Sequence, residues 1–362
     1  MIRTCAGDPS EWLCQYRGKR PLFACILSFT ETGLIPHISA AGGSLQARRY
    51  TAIADGELLA SSRILPRFPL KAGISPAVIS RAILTQQGIP FHLLSTGLPD
   101  KLAAPHIVLP QVMAKALYTG QAMTLKQVEA LFESGLLWGK RLAQQCLGSY
   151  LILGECVVGG TTTAQAMLTA LGYHVAGRMS SSHSSRCIHH HEQKQKLVNQ
   201  GLHQWQQNRS AFQSTPLAAV AACGDPMQAV AAGIALAASQ QVGVLLAGGA
   251  QMLAIYALAQ AIAHRHQEIS WQNQRIVVGT TRWVIEDASA DTTAIARDIG
   301  APYIASEISF AQSSYRQLRA YEQGFVKEGV GAGGCAIAAH LYKGWNRSQL
   351  RHAVETELRD CF

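Results

Sequence analysis

The chain has 362 residues, 48% of them hydrophobic and 15% charged, with a formal net charge of +9 at pH 7. So much apolar residue with so little charge excludes a largely disordered chain, and the length suits one large or two medium domains. The positive charge is dispersed, with Arg48-Arg49 and the Lys194/Lys196 pair the densest basic points, and aromatics are only 7%, so the basic stripe interleaved with aromatics that nucleic-acid binding needs is not expected.

In chain order, the opening residues Met1 to Asp8 lack the apolar core of a secretory signal. Residues 22–29 are apolar throughout, as in a strand covered on both faces. Residues 70–90 look helix-rich, and 107–109 form a weak strand candidate. A helix is predicted at 125–145, a strand at 150–153 and a helix at 162–171. Residues 180–185 with His189-His190-His191 read as a polar loop, followed by a helix at 192–208. A strand at 218–222 and a helix at 227–239 come next. The apolar run 242–263 resembles a membrane span, but Gly248-Gly249 and Gln251 break it into a strand (242–247), a turn and a helix (251–264). A strand at 276–278, a helix at 291–299 and a strand at 303–305 precede a helix-rich end at 310–360. Strands alternating with helices imply an α/β fold, doubly wound, with a mainly parallel sheet and a small helical domain. The large nucleotide-binding domain is expected over 20–310, with a helical insert near 70–90. The small helical domain is expected from 311–362 plus the N-terminal residues. Nine cysteines, an odd number without a C-x-x-C pair, argue for reduced, mostly buried thiols in a cytoplasmic protein, against a disulfide framework and against a structural zinc site.

In such a fold ligands sit beyond the carboxyl ends of the strands, so the turns there are where chemistry is expected. Four stand out. Gly154-Glu155 through Gly159-Gly160-Thr161-Thr162-Thr163 combines two glycines with hydroxyls before a helix. It is either a tight turn with a Thr cap or a phosphate site at a helix N-terminus, and no Lys makes it a Walker motif. Gly177 to Ser182, followed by Lys194, is a polar loop or the rest of a phosphate cradle. A third group gathers Gly224-Asp225, Gly248-Gly249 and Gly279-Thr280-Thr281-Arg282. There Asp225 reads as a helix N-cap with Pro226 at the first position, and Arg282 as an anion partner or a surface ion pair. The fourth is Lys327-Glu328-Gly329-Val330-Gly331-Ala332-Gly333-Gly334. Its G-x-G-x-x-G spacing lacks the hydrophobic strand that a dinucleotide fingerprint needs. Glu328 before this turn is either a helix-dipole partner or, in a dry cleft, a general base.

These motifs occur in a fixed order: the early Thr30-Glu31-Thr32-Gly33-Leu34-Ile35-Pro36-His37-Ile38-Ser39-Ala40-Ala41-Gly42, then GGTTTA, the serine loop, CGDP, LLAGG, GTTRW and KEGVGAGG. Together, over residues 20–345, they resemble the nicotinate-nucleotide–dimethylbenzimidazole phosphoribosyltransferases, and most of all the archaeal and cyanobacterial uncharacterised branch. The resemblance implies transfer of phosphoribose from nicotinate mononucleotide to an aromatic base, dimethylbenzimidazole or a purine. An α-riboside 5′-phosphate for cobamide lower-ligand assembly forms and nicotinate leaves. It implies a homodimer, with no metal or redox cofactor and with no nucleic acid or membrane as partner. By motif, Glu328 matches the general base. Glu155 matches the glutamate on the nucleotide side, and Gly159, Gly160, Thr161 and Thr162 would hold phosphate or sugar. Gly177, Ser180 and Lys194 match phosphate-side elements, and Gly248 and Thr280 later nucleotide contacts. Residues 35–41, Ile35 and Ser39 among them, would line the base pocket. His37 stands where the branch usually has Gly. Two other readings are weighed: a non-catalytic mononucleotide-binding protein, and an NAD(P)-dependent oxidoreductase using the glycines at 329–334.

Overall fold

The structure, a computed structural model, describes every residue except 40, 43, 62–72, 181–186, 209–214, 267–269 and 362. Eight strands form one sheet: β1 (Ile2–Ala6), β2 (Leu22–Ser28), β3 (Phe91–Thr96), β4 (Ile107–Val108), β5 (Tyr150–Cys156), β6 (Gly243–Ala247), β7 (Ile276–Thr281) and β8 (Tyr303–Ser306). Their order is β1-β8-β7-β6-β5-β2-β3-β4, and all neighbours run parallel except β1 against β8. Side chains alternate across each strand, so the sheet buries two cores. Leu151 and Leu153 of β5 face one core, with helices Leu125–Gln145, Gly160–Ala170, Pro226–Ser239 and Ala250–Arg265. Tyr150, Ile152 and Cys156 face the other, with helices Ala77–Gln87, Ala332–Lys343 and Arg347–Cys361. The fold is thus α/β with a mainly parallel sheet wound on both faces. From β2 the chain steps outward to β3 and β4, then returns through β5 and steps the other way to β8. The strand order reverses between β2 and β5, and in such sheets ligands bind beyond the carboxyl ends at the reversal.

Several predicted elements differ. Residues 218–222, predicted as a strand, lie in the helix Pro216–Cys223. The run is nearly all alanine, the best helix former, and Thr215 caps it with Pro216 at the first position. Residues 189–191, predicted as part of a loop, lie in the helix Cys187–Asn208, whereas 181–185 fall outside the described residues. Two strands were not predicted: β1, a short edge strand, and β3, whose first two residues are only half-buried. Residues 2–6 pair with β8 at the sheet edge. The strand predicted at 150–153 runs on to Cys156, so Glu155 stands on a strand and not in a turn. The strand predicted at 276–278 likewise continues to Thr281, and the helix predicted from 162 begins at Gly160. The run 242–263 is a strand, a glycine turn and a helix as expected, and no helix among the described residues is long and apolar enough to cross a membrane.

Candidate active site

Three buried or half-buried carboxyls meet where β5, β6 and β7 end. Glu155, next to last on β5, is 5% exposed. Gln251, at the start of the helix Ala250–Arg265, donates from Nε2 to Glu155 Oε1 at 2.9 Å. The other oxygen, Oε2, is buried with no hydrogen-bond partner. Burial, then the charges of Asp225 and Glu328, push the Glu155 carboxyl up to about 8, against the pull of the Val157 amide and Gln251. This environment favours the protonated form of the carboxyl. Asp225 is fully buried and caps the helix Pro226–Ser239, as read from the sequence. It also accepts from Thr163 Oγ1 at 2.5 Å, and burial pushes it up to about 6.

Glu328 is bound differently. Its Oε2 accepts from Thr280 Oγ1 at 3.0 Å and from the Thr281 N–H at 2.9 Å. Its Oε1 accepts from the N–H groups of Gly329 at 3.1 Å and Gly333 at 3.0 Å. Burial raises this carboxyl, and the four donors oppose the rise. A carboxylate offers about four lone-pair sites, so all of them are occupied. The cage depends on a glycine: a Cβ on Gly333 would lie 2.2 Å from Thr280 C and 2.5 Å from Glu328 Oε2. Beyond Glu328 the chain turns through Gly329, Val330 and Gly331, all at positive φ, into the helix Ala332–Lys343. Val330 at φ 52° is unusual for a β-branched residue and costs about 1–3 kcal/mol. Two bonds hold it there: its N–H donates to the Glu155 carbonyl at 2.9 Å, and its carbonyl accepts from Ser80 Oγ at 2.7 Å. The two glutamates therefore sit on segments tied directly to each other.

A second charged group adjoins the first. Lys327 pairs with Asp287, both buried, and Asp287 also accepts from the Ser289 N–H and Oγ. Lys194 is buried nearby on the helix Cys187–Asn208. Burial and the charge of Lys327 bring it down to about 7, while Asp287 works the other way.

Gly159 and Gly160 are not bare for a ligand's sake. A Cβ on Gly159 would lie 2.7 Å from the Gly33 nitrogen, and one on Gly160 would lie 1.8 Å from Gln251 Oε1. The Gly160 and Thr162 N–H groups are spent on the Val157 and Gly159 carbonyls. Thr162 Oγ1 is buried without a partner, and Thr161 lies half-buried beside it. Thr280 joins the site through Glu328, and the Gly248 N–H donates to the Gly279 carbonyl at 2.9 Å. Gly177 is exposed in a left-handed turn and Ser180 is half-buried, and no hydrogen bond among the described residues ties either of them to the carboxyls. Ile35 and Ser39 are half-buried in a loop that Arg48 holds, donating to the carbonyls of Ile35, Ser39 and Ala41. Gln193 ties Pro36 of the same loop to the helix that carries Lys194. An open cavity of about 530 Å³ lined by Met113, Trp205 and Ala222 among others lies apart, with none of the expected site residues on its wall.

The sequence assigns no individual role to Gln251, Asp287, Thr163, Thr281 or Lys327, although the last three stand in the motifs it marks, and it reads Asp225 only as a cap. Gln251 stands just beyond β6 and Thr281 is the last residue of β7, so position at a strand end is the signal that would have found them.

A phosphoribosyltransferase family model matches residues 91–283. A UPF0284 protein of Acaryochloris marina is 50% identical over 358 residues, covering 98% of this chain and 95% of the relative. A UPF0284 protein of a Cyanothece species is 53% identical over 364 aligned residues, covering 98% and 96%. Among solved structures, CobT from Thermus thermophilus superposes with a TM-score of 0.61 at 16% identity, covering 92% of this chain and 84% of that one. A nicotinate-nucleotide–dimethylbenzimidazole phosphoribosyltransferase structure from the same organism gives 0.58 at 16% identity, covering 95% and 84%. At that identity the likeness is one of fold.

Proposed function

Because the chain belongs to the phosphoribosyltransferase family, we propose that it moves phosphoribose from nicotinate mononucleotide to an aromatic base, dimethylbenzimidazole or a purine. The observation that carries this reading is the pair of glutamates, placed together at the strand ends in opposite environments. Burial raises both carboxyls, but four donors oppose the rise at Glu328 and few do at Glu155, and carboxyls in such different hydrogen-bond settings suit different roles.

Glu328 removes the ring N–H proton of the incoming base. The opposite ring nitrogen attacks C1′ of the ribose from the face away from nicotinate. The C1′–N bond breaks, nicotinate leaves with the bonding pair, and the anomer inverts to the α-riboside 5′-phosphate. Glu328 must free a lone pair first, and among its four donors only the Thr280 hydroxyl can rotate away without moving backbone. Glu155, held as the neutral acid, faces the ribose side. Lys194, close to the Lys327–Asp287 pair, serves the donor phosphate. The loop at 35–41 lines the base pocket, and the family's pairing makes a homodimer part of the same proposal. A supply of cobamide lower ligand is the use this product would have.

The test is release of nicotinate from the mononucleotide in the presence of benzimidazole, adenine and phenolic acceptors, with products identified by mass spectrometry. An α-riboside phosphate with at least one acceptor is expected. Tight mononucleotide binding with no product from any acceptor contradicts transfer and favours a binding protein.

A further inference from the structure

The proposed reaction gives Gln251 no role, yet the local geometry is built around it. Its amide lies against the bare Cα of Gly160, at the point where a Cβ would come within 1.8 Å of Oε1 and 2.4 Å of Cδ. From that seat Nε2 reaches Glu155 Oε1 at 2.9 Å. Among the described residues, Glu155 Oε2 and Gln251 Oε1 are buried without hydrogen-bond partners, and so is Thr162 Oγ1, two residues on from Gly160. Buried polar atoms are nearly always paired, so such a group marks where a ligand's own polar atoms belong. The chemistry of that ligand is constrained. Asp225 and Glu328 are close enough for their charges to act on Glu155, which disfavours a phosphate or a carboxylate beside it, while an apolar ring would leave the orphans unpaired. A neutral hydroxyl, donor and acceptor at once, fits.

We propose that Gln251 is the positioning residue of this site: seated on Gly160, it holds one oxygen of Glu155 and leaves the other open for a hydroxyl of the donor's ribose. This rests on the mononucleotide reading and sharpens it. Gly160 then serves neither phosphate nor sugar directly. Its missing side chain is the space in which the Gln251 amide lies.

Two variants reach the same relay from different ends. Q251M keeps the side-chain length and removes the amide. G160A adds a methyl group whose three nearest atoms all belong to the Gln251 amide, at a position outside the left-handed region, so that amide is what must give way. Steady-state kinetics with nicotinate mononucleotide and its 2′-deoxy and 3′-deoxy analogues are measured for wild type, both variants and the double variant. Wild type is expected to favour the ribose donor by about tenfold or more over at least one deoxy analogue, the worth of one buried hydrogen bond. Q251M and G160A should each raise KM for the ribose donor by about tenfold, with kcat changed less, and should narrow the gap to that analogue. The double variant should be no worse than either single one. The alkaline limb of 1/KM should move to higher pH in Q251M, because Gln251 favours the ionised form of Glu155. A wild-type enzyme that releases nicotinate while both variants keep the full gap and the same pH profile overturns the inference alone. A wild-type protein that releases none with any acceptor overturns the proposed function and this inference with it.

Discussion

The two glutamates differ in how much of their hydrogen-bonding capacity the protein uses. Glu328 accepts four bonds, three of them from backbone N–H groups, whereas Glu155 has the Gln251 amide on one oxygen, the Val157 amide near it, and a second oxygen buried without a hydrogen-bond partner among the described residues. The first is fixed in place by the chain, and its donors oppose the rise that burial imposes on it. The second is left short of partners and takes up a proton instead. Burial alone therefore does not assign a role to a carboxyl. The donors around it decide whether it stays an anion or becomes an acid.

The strongest challenge to this contrast is E328Q, which removes the proton acceptor but keeps the size of the side chain. Turnover should fall by about 10²–10⁴-fold, the usual contribution of a general base. Next in size is G333A, whose Cβ would enter the space of Thr280 and Glu328 Oε2. It should lower kcat by more than about tenfold and destabilise the fold by about 1–3 kcal/mol, read from urea unfolding and activity together. Normal activity in G333A would show that the cage is not needed.

E155Q tests the other side through stability. The folded carboxyl is pushed up to about 8, so between about 4.5 and 8 the folded state holds a proton that the unfolded state has lost. Stability from this group therefore declines as pH rises through that window and is flat above it. E155Q should flatten the decline in the urea midpoint from pH 5 to pH 8. An unchanged slope would mean that Glu155 is ionised throughout. The smallest effect is expected from T280V. Losing one donor should move the Glu328 carboxyl further up and carry the acid limb of kcat/KM to higher pH, by less than about one unit.

Much of this site was legible in the sequence because its residues stand where strand periodicity stops and glycine begins. The strands at 22–29 and 242–247 and the glycine turn after the latter are dictated by composition and local sterics. Glu328 is marked by the glycines that follow it, and the structure gives the reason: Gly333 has no room for a side chain. What the sequence hid is tertiary. Nothing local tells that Gly160 faces Gln251, or that Lys327 reaches Asp287 from forty residues away. The alanine run at 218–222 is apolar enough for either a strand or a helix, and only its Thr215 cap and Pro216 decide it. The edge strand β1 is half-exposed and too short for periodicity to reveal.

The division of labour between the two glutamates is tested most directly by single-turnover transfer in E328Q, with mononucleotide affinity measured on the same protein by calorimetry. The account predicts an affinity within about threefold of wild type and a rate of riboside phosphate formation lower by at least about a hundredfold. A wild-type rate in E328Q would contradict it.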